Sequence, residues 1–194
     1  MAWTTIRLYT PLSDTDIETL HAGDRILLNG IIYTARDAAH KRLISLIDEG
    51  KPLPIDLSGA VIYYVGPTPA PPGRVIGSAG PTTASRMDGY AITLLEHTGI
   101  KGMIGKGDRS QEFRDACKLY KGIYFAASGG IAALLSRHIK SSEIILYDDL
   151  GTEAIRRLEV IDFPVIVAND IYGRDFYKSG RKKFSTSVKD ILSE

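Results

Sequence analysis

One cysteine, Cys117, stands in 194 residues. That scarcity excludes an internal disulfide and any iron–sulfur cluster ligated by this chain's cysteines alone. Phe113, Cys117 and Tyr120 are spaced as on one helix face, so the thiol reads as a buried small apolar group rather than a reactive one. No apolar run approaches membrane-spanning length, and residues 1–10 lack the apolar core of a signal peptide; a cytoplasmic protein is expected. Net charge is only +1. The sole basic cluster, Arg181-Lys182-Lys183, reads as a solvated tail, so no nucleic-acid partner is expected. The histidines, His21, His40, His97 and His138, lie far apart without ligand spacing, and no metal site is expected. Asp148-Asp149 reads as a turn before Gly151 rather than a cation site. Gly105-Lys-Gly-Asp108 lacks P-loop spacing, and Gly77-Ser-Ala-Gly80 lacks the dinucleotide fingerprint.

What is present suits one globular domain over residues 1–194, with 44% apolar and 24% charged residues. Alternation from Thr4 to Thr10 predicts a strand, and Ser13-x-x-Asp16 a capping box opening a short helix. Arg25 to Thr34 reads as a hairpin turned at Asn29-Gly30. An amphipathic helix follows through Leu43, Leu46 and Ile47 to Gly50, with Asp37 as its expected cap. Ala60 to Val65 is a buried-strand run, and Pro67 to Gly73 a stiff loop after which Val75-Ile76 resumes a strand.

Downstream, helices are expected from about Arg86 to His97, from Ser110 to near Gly122, and from Ser128 to about Lys140. They alternate with strands at Gly102–Ile104, Ile123–Ala127 and Glu143–Tyr147, which argues for βαβ units and a parallel sheet. Between Ala154 and Val160 the alternation of Leu158 and Val160 with Arg157 and Glu159 favours strand over helix. Phe163 to Val167 and a turn at Asn169 to Gly173 complete the chain as β. The expected fold class is α/β, a single layered domain with a mixed, partly parallel sheet and antiparallel strands at its start and end.

Four polar residues fall at strand-to-helix junctions: Arg36, Thr82, Arg86 and Lys106. Active residues of α/β folds gather at the carboxyl ends of strands. Two guanidinium forks and an ammonium suit a small dianion, and a threonine hydroxyl can bind or exchange a proton, given a partner that activates it. Plainer alternatives exist: Arg36 could pair with Asp37 or Asp56, Arg86 with Asp88, and Lys106 could sit in a simple turn. His40, one helical turn beyond Arg36, is the one histidine near this group.

Ile32-Tyr-Thr-Ala-Arg-Asp-Ala-Ala-His40, Gly80-Pro-Thr-Thr-Ala-Ser-Arg-Met-Asp88 and Gly105-Lys-Gly107 resemble the signature blocks of the class I (iron–sulfur) fumarate hydratases. The likeness runs from about Ser13 to about Tyr177. It is narrowest to the separate β subunit of the two-subunit form, equivalent to the C-terminal domain of the single-chain enzymes, and the β subunit of L-tartrate dehydratase is similar to both. The resemblance implies a swivelling β/β/α fold and an α-subunit partner that supplies three cysteines to a [4Fe–4S] cluster, with no cofactor bound by this chain. It implies that Arg36, Arg86 and Lys106 hold a dicarboxylate and that Thr82 is the acid/base residue. It also implies that the chain is inactive alone and could self-associate through a face the α subunit covers. A tartrate substrate, a non-catalytic anion-binding module and a merely stabilising subunit are the competing expectations.

Overall fold

The first two strands, β1 (Thr5–Tyr9) and β2 (Arg25–Thr34), run in parallel and are joined through the short helix α1 (Asp14–Glu18). The structure, a computed structural model, describes the backbone of residues 5–191 and the side chains of residues 5–183; Thr4, expected in the first strand, lies outside the described residues. The capping box at the start of α1 is formed: Ser13 N–H donates to the Asp16 carboxylate at 2.8 Å and Asp16 N–H to Ser13 Oγ at 3.2 Å.

The hairpin expected at Asn29-Gly30 is not formed. β2 runs through that dipeptide and pairs antiparallel with the long strand β7 (Ile155–Asn169), with a register shift between Leu28 and Gly30. Gly30 does take a positive φ, +103°, but it serves a bulge. A Cβ there would stand 2.7 Å from Thr10 Oγ1, and Asn29 Oδ1 accepts from Asp162 N–H at 3.0 Å. Residues suited to a turn here bend one strand, which lets β2 pair with β1 through its first half and with β3 (Val61–Tyr63) at its end.

From β2 the sheet continues in parallel through β3, β4 (Gly102–Gly105) and β5 (Ile123–Ala126). β7 then pairs antiparallel with both β5 and β2, which closes β2-β3-β4-β5-β7 into a barrel. β1 and β6 (Ile139–Leu146) flank it. The mixed, partly parallel sheet is as expected, and so are the antiparallel strands at the end; those at the start are parallel instead.

The central strands are buried on both faces, which explains why they read as unbroken apolar runs. Val61, Tyr63, Ile104 and Phe125 belong to one core cluster with Leu8, Ile17 and Val165. Their neighbours Ile62, Tyr64, Met103 and Tyr124 face the other way, into a cluster with Leu43, Leu94 and Phe113. That second cluster is roofed by α2 (Asp37–Asp48), α3 (Asp88–Thr98) and α4 (Gln111–Tyr120). Cys117 lies in it, fully buried, and burial pushes its thiol up to about 12.

Three local expectations are corrected. Val75-Ile76 forms no strand. The third helix is one turn, α5 (Ala132–Leu135), followed by a 3-10 turn (Ser136–His138), because pairing with β7 draws the chain into β6 from Ile139. The C-terminal part is not a tail after β7: Phe176–Ile191 is a helix, α6, from which Arg181 donates to the Asp108 carboxylate at 2.7 Å. Among the described residues no helix is long and apolar enough to cross a membrane.

Candidate active site

Arg36 lies just past the carboxyl end of β2 and is the N-cap residue of α2, with no side-chain capping bond of its own. Asp37 is the first helical residue rather than the cap. The capping group comes from far along the chain: Glu153 Oε2 accepts from Ala38 N–H at 2.8 Å, and its Oε1 lies 3.4 Å from Arg36 Nη2. A carboxylate at a helix N-terminus is favoured by the unpaired N–H groups there, and here it also steers the guanidinium. The chain leaving β3 makes room for that guanidinium at Gly66, where a Cβ would stand 2.6 Å from Arg36 Nη1.

Thr82 is fixed by the strand end next door. Its amide donates to the Tyr64 carbonyl at 2.8 Å and its hydroxyl donates to the same oxygen at 2.9 Å. Its own carbonyl accepts from Lys106 N–H at 3.1 Å, and Ala84 N–H donates to the Lys106 carbonyl at 3.0 Å. The segment from Thr82 to Ala84 thus hangs between the ends of β3 and β4, and Thr83 forms a parallel bridge with Lys106. Arg86 follows in a 3-10 turn (Ser85–Met87) leading into α3 and pairs with Asp37 at 3.0 Å.

The four candidates therefore gather at one end of the barrel, at the carboxyl ends of β2, β3 and β4. Their electrostatics differ. Arg36 is a quarter exposed and held by Glu153, and Arg86 is half-exposed and held by Asp37. The expected plainer pairings, Arg36 with Asp37 or Asp56 and Arg86 with Asp88, are not the ones formed. Lys106 is exposed, and its ammonium makes no hydrogen bond or ion pair among the described residues. Three cations against two carboxylates leave a surplus for an anionic ligand. A groove of about 300 Å³ beside Gly66, lined by Pro67, Thr68, Ile76 and Thr152, includes none of the four. Arg86 and Lys106 are exposed, whereas Arg36 is largely covered, with its Nε buried.

Beneath this surface is a buried polar group. Asp88 pairs with Arg109 and also accepts from Ser110 N–H at 2.7 Å. The Arg109 guanidinium lies 3.4 Å over the Phe113 ring and 5.6 Å from the Tyr64 ring centroid. The Tyr64 ring meets the His40 ring edge-on at 5.5 Å. Asp149 does not join the site; it pairs with Arg42 at 2.5 Å on the exposed side of α2.

The model of the family described as "Fumarase C-terminus" matches residues 2–180. This chain belongs to that family. It is 46% identical over 155 residues to the anaerobic class I fumarate hydratase of Escherichia coli strain K12, covering 79% of this chain but 28% of that enzyme. It is 36% identical to a putative L(+)-tartrate dehydratase subunit beta of Methanocaldococcus jannaschii, covering 95% of this chain and 97% of that protein. The L(+)-tartrate dehydratase subunit beta of E. coli K12 is 31% identical, covering 96% and 94%. The chain thus spans about 28% of the length of the fumarate hydratases it matches and nearly all of the β subunits.

The family membership was legible in the sequence blocks; several partners at the site were not. Glu153 and Tyr64 carry no motif: one is brought in as β7 pairs with β2, the other acts through a backbone carbonyl that no sequence pattern marks. The Asp37–Arg86 and Asp88–Arg109 pairs join residues distant in sequence, so their partnership is set by the fold. Among the described residues no three His, Cys, Asp or Glu side chains group as a metal site needs, and Cys117 is walled into the core. The described residues therefore offer no donor set that fits an iron–sulfur cluster.

Proposed function

We propose that this chain is the β subunit of an iron–sulfur hydro-lyase that interconverts (S)-malate with fumarate and water. The observation that carries the reading is the gathering of Arg36, Arg86, Lys106 and Thr82 at the carboxyl ends of adjacent parallel strands in a member of the fumarase C-terminal family. The site is incomplete alone: Arg86 and Lys106 are exposed to solvent, where each is worth far less to a bound dianion than in a dry cleft. A cluster-bearing α subunit completes it; that there is a partner subunit at all is supported by the names of the tartrate dehydratase β subunits. A [4Fe–4S] cluster held by that subunit would supply Lewis-acid chemistry at the substrate hydroxyl.

This chain contributes position, charge and a proton site. Arg36 and Arg86, each oriented by a carboxylate, present fork-shaped donors to the substrate carboxylates, and Lys106 adds a mobile point charge. As the proton leaves the carbon next to a carboxylate, negative charge accumulates on that carboxylate, and the cations stabilise it more than the ground state. Thr82 is the proton site. Its hydroxyl hydrogen is given to the Tyr64 carbonyl, and a neutral threonine hydroxyl is too weak a base to take a proton from carbon. A basic group of the α subunit therefore takes the Oγ1 hydrogen, and Oγ1 takes the proton that leaves the carbon.

The tartrate dehydratase alternative keeps every role and changes the substrate. It is favoured by the end-to-end match to tartrate dehydratase β subunits, while the higher identity favours fumarate hydratase. Reconstitution of the chain with its α subunit, assayed on malate, fumarate and tartrate, separates the two. Turnover of none of the three by a complex with its cluster intact would refute the hydro-lyase reading.

A further inference from the structure

His40 is buried to the last atom, on the first turn of α2. The Arg36 carbonyl accepts two bonds from it, the helical amide at 2.9 Å and the ring Nδ1 at 2.8 Å. A carbonyl has no proton to give, so Nδ1 carries the hydrogen, and in the neutral ring Nε2 is then a bare acceptor. Nε2 is buried with no hydrogen-bond partner, which costs stability. A phenyl ring would fill the same space without that cost. What the imidazole adds is the Nδ1–H bond to Arg36. Its ring also meets Tyr64 edge-on at 5.5 Å, and the Tyr64 carbonyl is the anchor for Thr82. Tyr90 stacks on the ring at 5.8 Å from the α3 side.

We propose that His40 is a positioning residue for the active site: through the Arg36 carbonyl it fixes the backbone that aims the Arg36 guanidinium, and through the Tyr64 ring it braces the strand end that holds Thr82. It touches no substrate and transfers no proton. Glu153 holds the Arg36 side chain from one direction and His40 holds its main chain from the other, so the guanidinium is constrained at both ends. The inference rests on the proposed substrate-binding role of Arg36.

The test uses the reconstituted complex and three variants. His40→Asn puts an amide N–H near the place of Nδ1–H, His40→Phe keeps the ring and removes the donor, and His40→Ala removes both. The expected result is a KM for the dicarboxylate raised about tenfold or more in His40→Phe, with kcat lowered less, and a KM within a few-fold of wild type in His40→Asn. Hydrogen exchange of the peptide spanning residues 34–42 should quicken in His40→Phe and not in His40→Asn. Wild-type KM and exchange in His40→Phe would overturn the proposal, as would a His40→Asn variant that loses as much as His40→Phe. If His40→Phe fails to assemble, His40→Asn decides by its KM: near wild type supports the role, and a tenfold rise refutes it. An inactive wild-type complex would count against the hydro-lyase reading instead, and the exchange measurement would still report on His40 and Arg36.

Discussion

Thr82 gives both of its protons to one atom: its amide and its hydroxyl each donate to the Tyr64 carbonyl, at 2.8 and 2.9 Å. The two bonds fix χ1 of Thr82 as well as its backbone, so Oγ1 is held through the main chain of the β3 end. Serine in its place keeps both bonds, and valine keeps the shape but loses the hydroxyl. The position of the hydroxyl is therefore a property of the β3 end, set by the same strand that carries Tyr63 and Tyr64 into opposite cores.

The three cations should separate by kinetic signature. Arg36→Met and Arg86→Met each remove a charge-assisted bond worth about 1.5–3 kcal/mol, so kcat/KM in the reconstituted complex should fall about 10- to 100-fold. Lys106→Met removes a point charge without a fork and should act mainly on KM. Unchanged kcat/KM in all three would remove the dianion clamp.

The Asp88–Arg109 pair is buried, with Arg109 enclosed by Phe113, Tyr64 and Tyr124. Replacing Asp88 with asparagine leaves a buried guanidinium without its counter-charge, a loss of about 3–5 kcal/mol for such pairs. The urea midpoint should drop sharply in Asp88→Asn. A midpoint equal to wild type would show that the rings alone hold the cation.

His40 makes stability depend on pH. Burial holds its imidazole near 4, well under the ordinary 6.5, and Arg109 adds to the lowering while the Arg36 carbonyl, Asp37 and Glu153 oppose it. The unfolded chain therefore binds the extra proton first, and stability rises with pH between about 4 and 6.5 and falls as pH drops through that window. Urea titrations across it should show a weaker slope in His40→Asn than in wild type; equal slopes would assign the dependence to other groups.

Much of this architecture was legible from local pattern. Runs such as Val61-Ile-Tyr63 and Ile123-Tyr-Phe125 are apolar throughout because both faces of the barrel are covered, and that feature is visible in sequence. The closure itself was not. Asn29-Gly30 carries the chemistry of a hairpin turn, yet the competing demand of pairing with β7 and approaching Thr10 turned it into a bulge. Helix α6 was missed although Phe176, Phe184, Val188 and Ile191 fall at helical spacing in the sequence, because Gly180 interrupts that stripe and the basic run Arg181-Lys182-Lys183 has the composition of a solvated tail. At the site, the blocks around Arg36, Thr82, Arg86 and Lys106 named the residues but not their neighbours. Glu153 reaches Arg36 only once β7 has been laid along β2.

Cys117 should be silent to thiol reagents in the folded protein, since it is buried and its thiolate is disfavoured by desolvation. Ellman's reagent should report no accessible thiol in buffer and one per chain in urea. Rapid modification in buffer would mean that the core between the barrel and α4 opens readily.

The role of Thr82 is tested most directly by steady-state turnover of the complex reconstituted with cluster-bearing α subunit, comparing wild type with Thr82→Ala and Thr82→Ser. The prediction is a kcat lowered about 100-fold or more in Thr82→Ala, on the scale of losing a proton-transfer group, with most of the activity kept in Thr82→Ser. A Thr82→Ala complex that turns over at the wild-type rate would contradict the account.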